Sequence, residues 1–458
     1  MEQTKLKRQL SLFDAVMVIS GDMIGVGIFV TTGFIAATLP SPGGILLIWI
    51  LGGLLALAGA LSCAELSASL PLAGGDYIYI REAYGKLTGF LSGWSSFLVT
   101  FSGSIAAIAV GFSSFLAFFF PVLSSDNAFF SIAVIGHPIQ ISVGTVFSLI
   151  TVLILSGVHY AGVRPGVLLQ NILTVFKIGS LLGIIFLGLL IGKGSTEHFF
   201  PLFDLSKMAD LSLFGAAFIP AIFAYAGWNA VIYLAGEVRE PEKNLPRALV
   251  WANLLVILLY LAINVVYIYA VPVTEMKGAL RVSEVATTAL LGYQTSALIT
   301  GIITVSIFGA LNAVTMIGPR IYYAMAEDGV FFRALARVHP KFGTPSNAIV
   351  LQALWSCILI LTGTFDALFT YVSVVISLFS ALTVGSVIVL RFKRPDLNRP
   401  YKLWGYPFVP IFFVLVSLWV AWGSLMSKPW ESFGGVVIVC LGIPAYFFWQ
   451  SRLKGSKS

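Results

Sequence analysis

Two short stretches hold the residues whose types and spacing could do chemistry. The first is Gly21-Asp22-Met23-Ile24-Gly25-Val26-Gly27-Ile28-Phe29; the second is Pro220 followed by Phe223-Ala224-Tyr225-Ala226-Gly227-Trp228-Asn229. Both interrupt long apolar runs. Each of Gly21, Gly25 and Gly27 weakens a helix by roughly 1 kcal/mol relative to alanine, and Pro220 removes a ladder hydrogen bond. A half-helix restarting after Gly25-Val26-Gly27 presents unpaired N–H groups at the positive end of its dipole, which hold a carboxylate without an arginine. The unwound backbone also frees the carbonyls of Ile24, Phe223, Ala224 and Tyr225 to accept from an ammonium group. Main-chain recognition of both ends of a zwitterion leaves substrate choice to the neighbouring side chains, which are apolar, aromatic or, at Asn229, an amide. The breaks are expected to offer no carboxylate to a cationic side chain, so a neutral substrate is expected. Glycines four residues apart, as at Gly21 and Gly25, also serve as plain helix-packing faces. The second break, with Tyr225, Trp228 and Asn229 clustered in it, favours a cavity over that alternative.

The elements that must position these stretches follow from composition. Of 458 residues, 58% are hydrophobic and 10% charged, too few charges to cover a soluble surface of that size, so most of the chain faces lipid or other buried chain. Apolar runs near 12–39, 44–70, 87–120, 139–160, 167–192, 214–236, 246–271, 295–325, 346–363, 366–390, 407–427 and 431–450 predict about twelve transmembrane helices. The first run is too long for a signal-peptide core and is read as a retained span. The chain then divides into an N-terminus (1–11), a first half of five spans (12–192), a second half of five (214–390), two further spans (407–450) and a C-terminus (451–458). An odd number of spans per half inverts the second half relative to the first. The two breaks fall in the first span of each half. Unpaired backbone in hydrocarbon is prohibitive unless it lines a cavity, so matched breaks point to a substrate site near the midplane.

The net charge of +7 is topological. About 21 of the 27 basic residues fall at the termini and in alternate loops, such as those holding Arg239, Lys243 and Arg247 or Arg391, Lys393 and Arg394. The positive-inside rule therefore predicts cytoplasmic termini in a cell membrane, and nucleic acid is not invoked. Cys63, Cys357 and Cys440 stand singly in apolar segments, and His137, His159, His198 and His339 have no ligand spacing, so neither metal nor other cofactor is expected. No nucleophile–base pair or carboxylate pair within the spans suggests an enzyme. A channel would favour a continuous polar lining. Glu65 reads as a structural anchor; Tyr77, Arg81 and Glu82 belong either to an inner gate or to a solvated loop. Lys177 lies about ten residues into its span, roughly 15 Å along it, where a cation costs several kcal/mol unless bonded.

At these residues the sequence resembles the amino acid–polyamine–organocation superfamily, most closely the L-type amino acid transporter light-subunit branch. The matching stretches are Gly25-Val26-Gly27-Ile28-Phe29-Val30, Gly59-Ala60-Leu61-Ser62-Cys63-Ala64-Glu65-Leu66, Gly74-Gly75-Asp76-Tyr77, Phe223 to Asn229, and Lys243-Asn244-Leu245-Pro246-Arg247-Ala248. The resemblance runs over about residues 10–400. It implies an all-α membrane protein with a LeuT-like 5+5 inverted repeat and two C-terminal spans. It also implies sodium-independent movement of small neutral amino acids, often by exchange, with Phe223 as an aromatic gate. By the same resemblance, Lys177 takes the place of a second sodium ion, bridging the first and eighth spans with Ser306 as partner. Two departures bear on partners and substrates. The stretch 121–138 lacks the cysteine through which light subunits join a glycoprotein, so no disulfide-linked subunit is expected, and Ala226 stands where relatives often have glycine. The alternatives are a basic amino acid or amine antiporter and a proton-coupled amino acid permease.

Overall fold

The computed structural model describes residues 6–124, 127–134, 137–204, 211–279, 281–362, 365–427 and 429–455. Among the described residues, nine helices are long and apolar enough to cross a membrane, from Pro42–Ser69 to Phe433–Ser451, and the pair Leu12–Met23 and Gly27–Thr38 makes a tenth, bent by 41°. The chain is a multi-pass membrane protein. Two expected spans fall short of that length. Near 214–236 the helix Leu211–Ala224 gives way to a 3-10 helix, Ala230–Glu237, and Ser346–Thr362 is 17 residues long.

The structure departs from a wholly helical reading between the third and fourth runs. Ala128–Val134 and His137–Ser142 form an antiparallel hairpin. The following helix starts at Val143, later than the expected 139, because the Ser142 hydroxyl accepts from the Thr145 N–H while Thr145 Oγ1 accepts from the Ser142 N–H. Ser11 and Asp14 cap Leu12–Met23 in the same way.

The broken helices are central. Leu12–Met23 packs against Pro241–Ala270, Val163–Leu190 and Thr295–Ile317, and Gly27–Thr38 packs against Leu211–Ala224. Pro42–Ser69 lies along Pro241–Ala270 and closes another side. Where they meet, buried Trp49 stands edge-on to Tyr225 and Tyr260, with ring centroids 5.6 and 5.3 Å away.

Ion pairs and strand-like bonds fasten the end of the bundle that holds Glu237. Glu237 and Arg320 pair at 2.8 Å, both almost fully buried. The Gln9 and Leu10 N–H groups donate to the Glu237 carbonyl, and the Arg239 N–H donates back to Leu10, tying the N-terminal segment to the end of the Ala230–Glu237 helix. Arg81 reaches Asp328, as does the Tyr77 hydroxyl, so this part of the first connecting loop is fixed in place. Glu65 is held by Arg391 at 2.6 Å and Arg399 at 3.5 Å, an anchor of the kind its position suggested. Tyr233 donates to Asp76 at 2.6 Å.

Asp76, on the short helix Asp76–Tyr84 between two candidate spans, is pushed up to about 6 by burial, against the lowering effect of its bond from Tyr233. A carboxyl raised in the folded state lends stability below its ordinary value of 3.8 and loses it as pH rises through the folded value. The detergent-solubilised protein is therefore expected to melt at a higher temperature at pH 5 than at pH 7.5, with a smaller difference in Asp76→Asn. Equal pH responses in the two proteins would remove Asp76 from the account.

Candidate functional site

The first break is three residues long. The Ile24 N–H still donates to Ser20, the Gly25 N–H turns back to Met23, and a new helix begins at Gly27. Val26 precedes that helix without capping it by a side chain; the Phe29 N–H donates to the Val26 carbonyl, and the Gly27 and Ile28 N–H groups make no described hydrogen bond. Gly25, Val26 and Gly27 keep exposed surface although helices surround them, which places an opening at the break. A β-carbon on Gly25 would meet Ala310 alone, at an ordinary 3.9 Å.

The three glycines have different reasons. A β-carbon on Gly21 would collide with the Gln170 and Thr174 side chains, so Gly21 serves close packing with the Lys177 helix. One on Gly27 would stand 2.8 Å from the α-carbon of Ala224. Gly27 thus brings the restarted first helix against the end of Leu211–Ala224, and the two breaks adjoin.

The second break runs from Tyr225 to Asn229. Gly227 turns the chain at φ +94°, a region open to glycine. The Asn229 side chain provides no cap for Ala230–Glu237, and Ala226 is exposed. Phe223, Ala226 and Trp228 line a cavity of about 90 Å³ whose far walls include Ser380, Phe413 and Ser417.

Three of the four carbonyls expected to meet an ammonium group are already engaged. Lys177 donates to Ile24, the Ala226 N–H donates to Phe223, and the Tyr260 hydroxyl donates to Ala224 at 3.3 Å. Tyr225 accepts no hydrogen bond among those described. Tyr260 also donates to Met23 at 2.7 Å, so one hydroxyl joins both breaks. Nothing in the local sequence around Tyr260 marks this role, since it is one tyrosine in an apolar run of a helix with no break.

Lys177 lies fully buried at the middle of Val163–Leu190. Its ammonium donates to the Gly21 carbonyl at 2.6 Å and the Ile24 carbonyl at 2.7 Å, two groups orphaned by the end of Leu12–Met23. The expected partner differs. Lys177 rests against Gly309, where a β-carbon would stand 2.6 Å from Cε, whereas the buried Ser306 hydroxyl makes no described hydrogen bond. Ser306 sits three residues before Gly309 on the same helix, and the missing side chain at Gly309 is what admits the lysine.

Asp22 corrects the expectation that the breaks hold no carboxylate. It is partly exposed beside the gap, and its Oδ2 lies 2.7 Å from where a β-carbon of Gly227 would be. Its presence was legible in the quoted stretch, but its direction depends on the fold. Among the described residues no group of His, Cys, Asp and Glu could hold a metal ion.

Residues 10–443 match the family model described as amino acid permease. The chain is 32% identical to the large neutral amino acids transporter small subunit 2 of Oryctolagus cuniculus, over 98% of this chain and 82% of that protein. It is 32% identical to the serine/threonine exchanger SteT of Bacillus subtilis (strain 168), over 98% and 99%, and 31% identical to the human b(0,+)-type amino acid transporter 1, over 97% and 88%.

The contrast between the glycines gives a test. Gly25→Val, whose side chain would enter the open space, is expected to leave a monodisperse purified protein that has lost amino acid binding. Gly27→Val, forced against the Ala224 backbone, is expected to lower the melting temperature as well. Retained binding in a well-folded Gly25→Val protein would mean that the opening at Gly25 holds no ligand.

Proposed function

We propose that this chain, which belongs to the amino acid permease family, is a sodium-independent secondary transporter of small neutral amino acids. It works as an exchanger by alternating access. The observation that carries the reading is the Lys177 ammonium, bonded to the two carbonyls that the first break orphans. A tethered charge at that point does what a bound cation would do, namely neutralise the carbonyl end of a half-helix. Sodium is then unnecessary.

The zwitterion site lies between the breaks. The carboxylate binds the N–H groups around Gly25, Val26 and Gly27, and Ile24, Phe223, Ala224 and Tyr225 offer their remaining lone pairs, with Asn229 beside them. Exchange and neutral substrates gain support from the names of two relatives, a serine/threonine exchanger and a large neutral amino acids transporter. Small size is supported by the methyl group of Ala226 at the second break.

The wider plan belongs to the same proposal: twelve spans, halves 12–192 and 214–390 inverted on a LeuT-like pattern, and cytoplasmic termini in the cell membrane. No disulfide-linked subunit is proposed, because 121–138 contains no cysteine. One observation favours a second reading. Asp22 would suit a basic amino acid or an amine, and competition by alanine, serine, leucine, arginine and agmatine separates the two.

Uptake into liposomes preloaded with amino acid is expected to be the same in sodium and choline buffers at fixed pH, and Lys177→Ala is expected to abolish most of it. A several-fold requirement for sodium would overturn the assignment of Lys177. Phe223, in the last turn of Leu211–Ala224 just before the second break, is proposed as the lid over the substrate. Phe223→Ala is expected to slow exchange about tenfold, roughly 1.4 kcal/mol of barrier, while equilibrium binding weakens less. A wild-type exchange rate in a properly inserted Phe223→Ala protein would remove the gate.

A further inference from the structure

Asp22 is a charged group at the candidate site that the main-chain reading leaves unused. It stands on the last turn of Leu12–Met23, partly exposed beside the gap, with its carboxylate against Gly227 of the second break. Among the described residues it makes neither a hydrogen bond nor an ion pair. The Lys177 ammonium is spent on the carbonyls of Gly21 and Ile24, the residues flanking Asp22 and Met23. A carboxylate inside a helical bundle is costly unless something compensates it.

The acceptors around it point to the compensating group. The carbonyls of Met23, Ile24, Phe223 and Ala224 already receive Tyr260, Lys177, the Ala226 N–H and Tyr260 respectively. Trp228 receives the Asn253 amide at 3.1 Å. The Met23 carbonyl also accepts the Gly25 N–H and is filled, whereas those of Ile24, Ala224 and Trp228 receive one described bond each and can assist. A hydrogen bond to an ionised acceptor is roughly twice as strong as one between neutral groups, so an arriving cation would find its main partner in Asp22. Gly227 lets it do so, because any side chain there would fill the place of the carboxylate.

We propose that Asp22 is the counter-ion for the ammonium group of the transported molecule, and that it selects for substrates carrying an amine. The inference rests on the proposed site between the breaks and deepens it. The substrate's two charges divide between two elements: its carboxylate meets the N–H groups starting Gly27–Thr38, and its ammonium meets Asp22 at the end of Leu12–Met23. With Lys177 positive and Asp22 negative the empty site carries no net charge, and a zwitterion enters without changing that. The same carboxylate would accept the amine of a molecule lacking a carboxylate, more weakly.

The test is equilibrium binding of labelled alanine to the purified full-length protein, with lactate and alaninol as competitors. Lactate replaces the ammonium by a hydroxyl, and alaninol keeps it but lacks the carboxylate. Wild type is expected to bind alanine, to be displaced by alaninol and to ignore lactate. Asp22→Asn, nearly isosteric, is expected to lose at least about 30-fold in alanine affinity, the low end for removing one partner of a desolvated charge pair. It should also lose its discrimination against lactate, a change in selectivity that a merely structural defect would not produce. Asp22→Glu is expected to keep the discrimination at reduced affinity. Lactate competing as well as alanine for the wild type would overturn the proposal even if Asp22→Asn could not be purified. Undiminished alanine affinity in Asp22→Asn, or alanine binding that survives while coupling to a proton gradient is lost, would overturn it too. Failure of the wild type to bind any neutral amino acid would instead sink the broader substrate reading.

Discussion

A helix interrupted inside a bilayer leaves backbone ends that no water can satisfy, and the centre of this protein is arranged around four of them. Two are carbonyl ends, at Met23 and at Ala224, and two are N–H ends, at Gly27 and at Ala230. The carbonyl ends are closed by the protein itself. Lys177 takes the Gly21 and Ile24 carbonyls with a full charge, and Tyr260 shares the one proton of its neutral hydroxyl between Met23, at 2.7 Å, and Ala224, at 3.3 Å. The N–H ends have no side-chain cap from Val26 or Asn229. Much of the surrounding packing follows from this: Gly309 clears the space that Lys177 occupies, Gly27 lets the breaks touch, and Trp49, Tyr225 and Tyr260 fill the region beside them.

The parts of this arrangement that were legible in the sequence are those that act along one segment. Glycine at 25 and 27 announces an interruption by its effect on a single helix, and apolar run length announces the spans; Pro220, expected to break its run, instead lies inside Leu211–Ala224, and the second break begins at Tyr225. Lys177 is conspicuous because a cation at the middle of a 28-residue apolar helix demands a partner. What the sequence could not convey depends on geometry between distant segments. Tyr260 is separated from Met23 by 237 positions, and its hydroxyl could have been any buried phenol. Ser306 was the expected polar partner for Lys177, and a helix presents the same face three residues on, but there the informative residue is one with no side chain, Gly309. The hairpin at 128–142 lay outside the helical reading because short strands give no signal of run length.

The far end of the bundle obeys a different physics from the breaks. Buried Arg320–Glu237 contributes little net stability compared with an apolar pair, since both charges must be desolvated, but either one left alone would be strongly destabilising. Such a contact therefore acts as a register pin, and its members come from the Ala230–Glu237 helix and the helix Pro319–Glu327. The Leu10 and Arg239 backbone bonds add the N-terminal segment to the same point. The second half of the broken sixth element and the start of the first element are thus joined at one end, while the gap between their breaks stays partly exposed.

That asymmetry bears on what the site can accept. With the carbonyl ends closed by groups of the protein, the remaining demand at Gly27–Thr38 is for an anion, because uncapped N–H groups and the helix dipole both favour negative charge. Across the gap the Asp22 carboxyl lies against Gly227, in the turn that precedes Ala230–Glu237. A simple anion would satisfy the first end but would add its charge to a region where Asp22 already stands. A simple cation would suit Asp22 and leave the Gly27 end unmet. A molecule bearing both charges a few ångströms apart meets both demands at once, and the electrostatics of the four ends therefore favours a zwitterion over either ion alone.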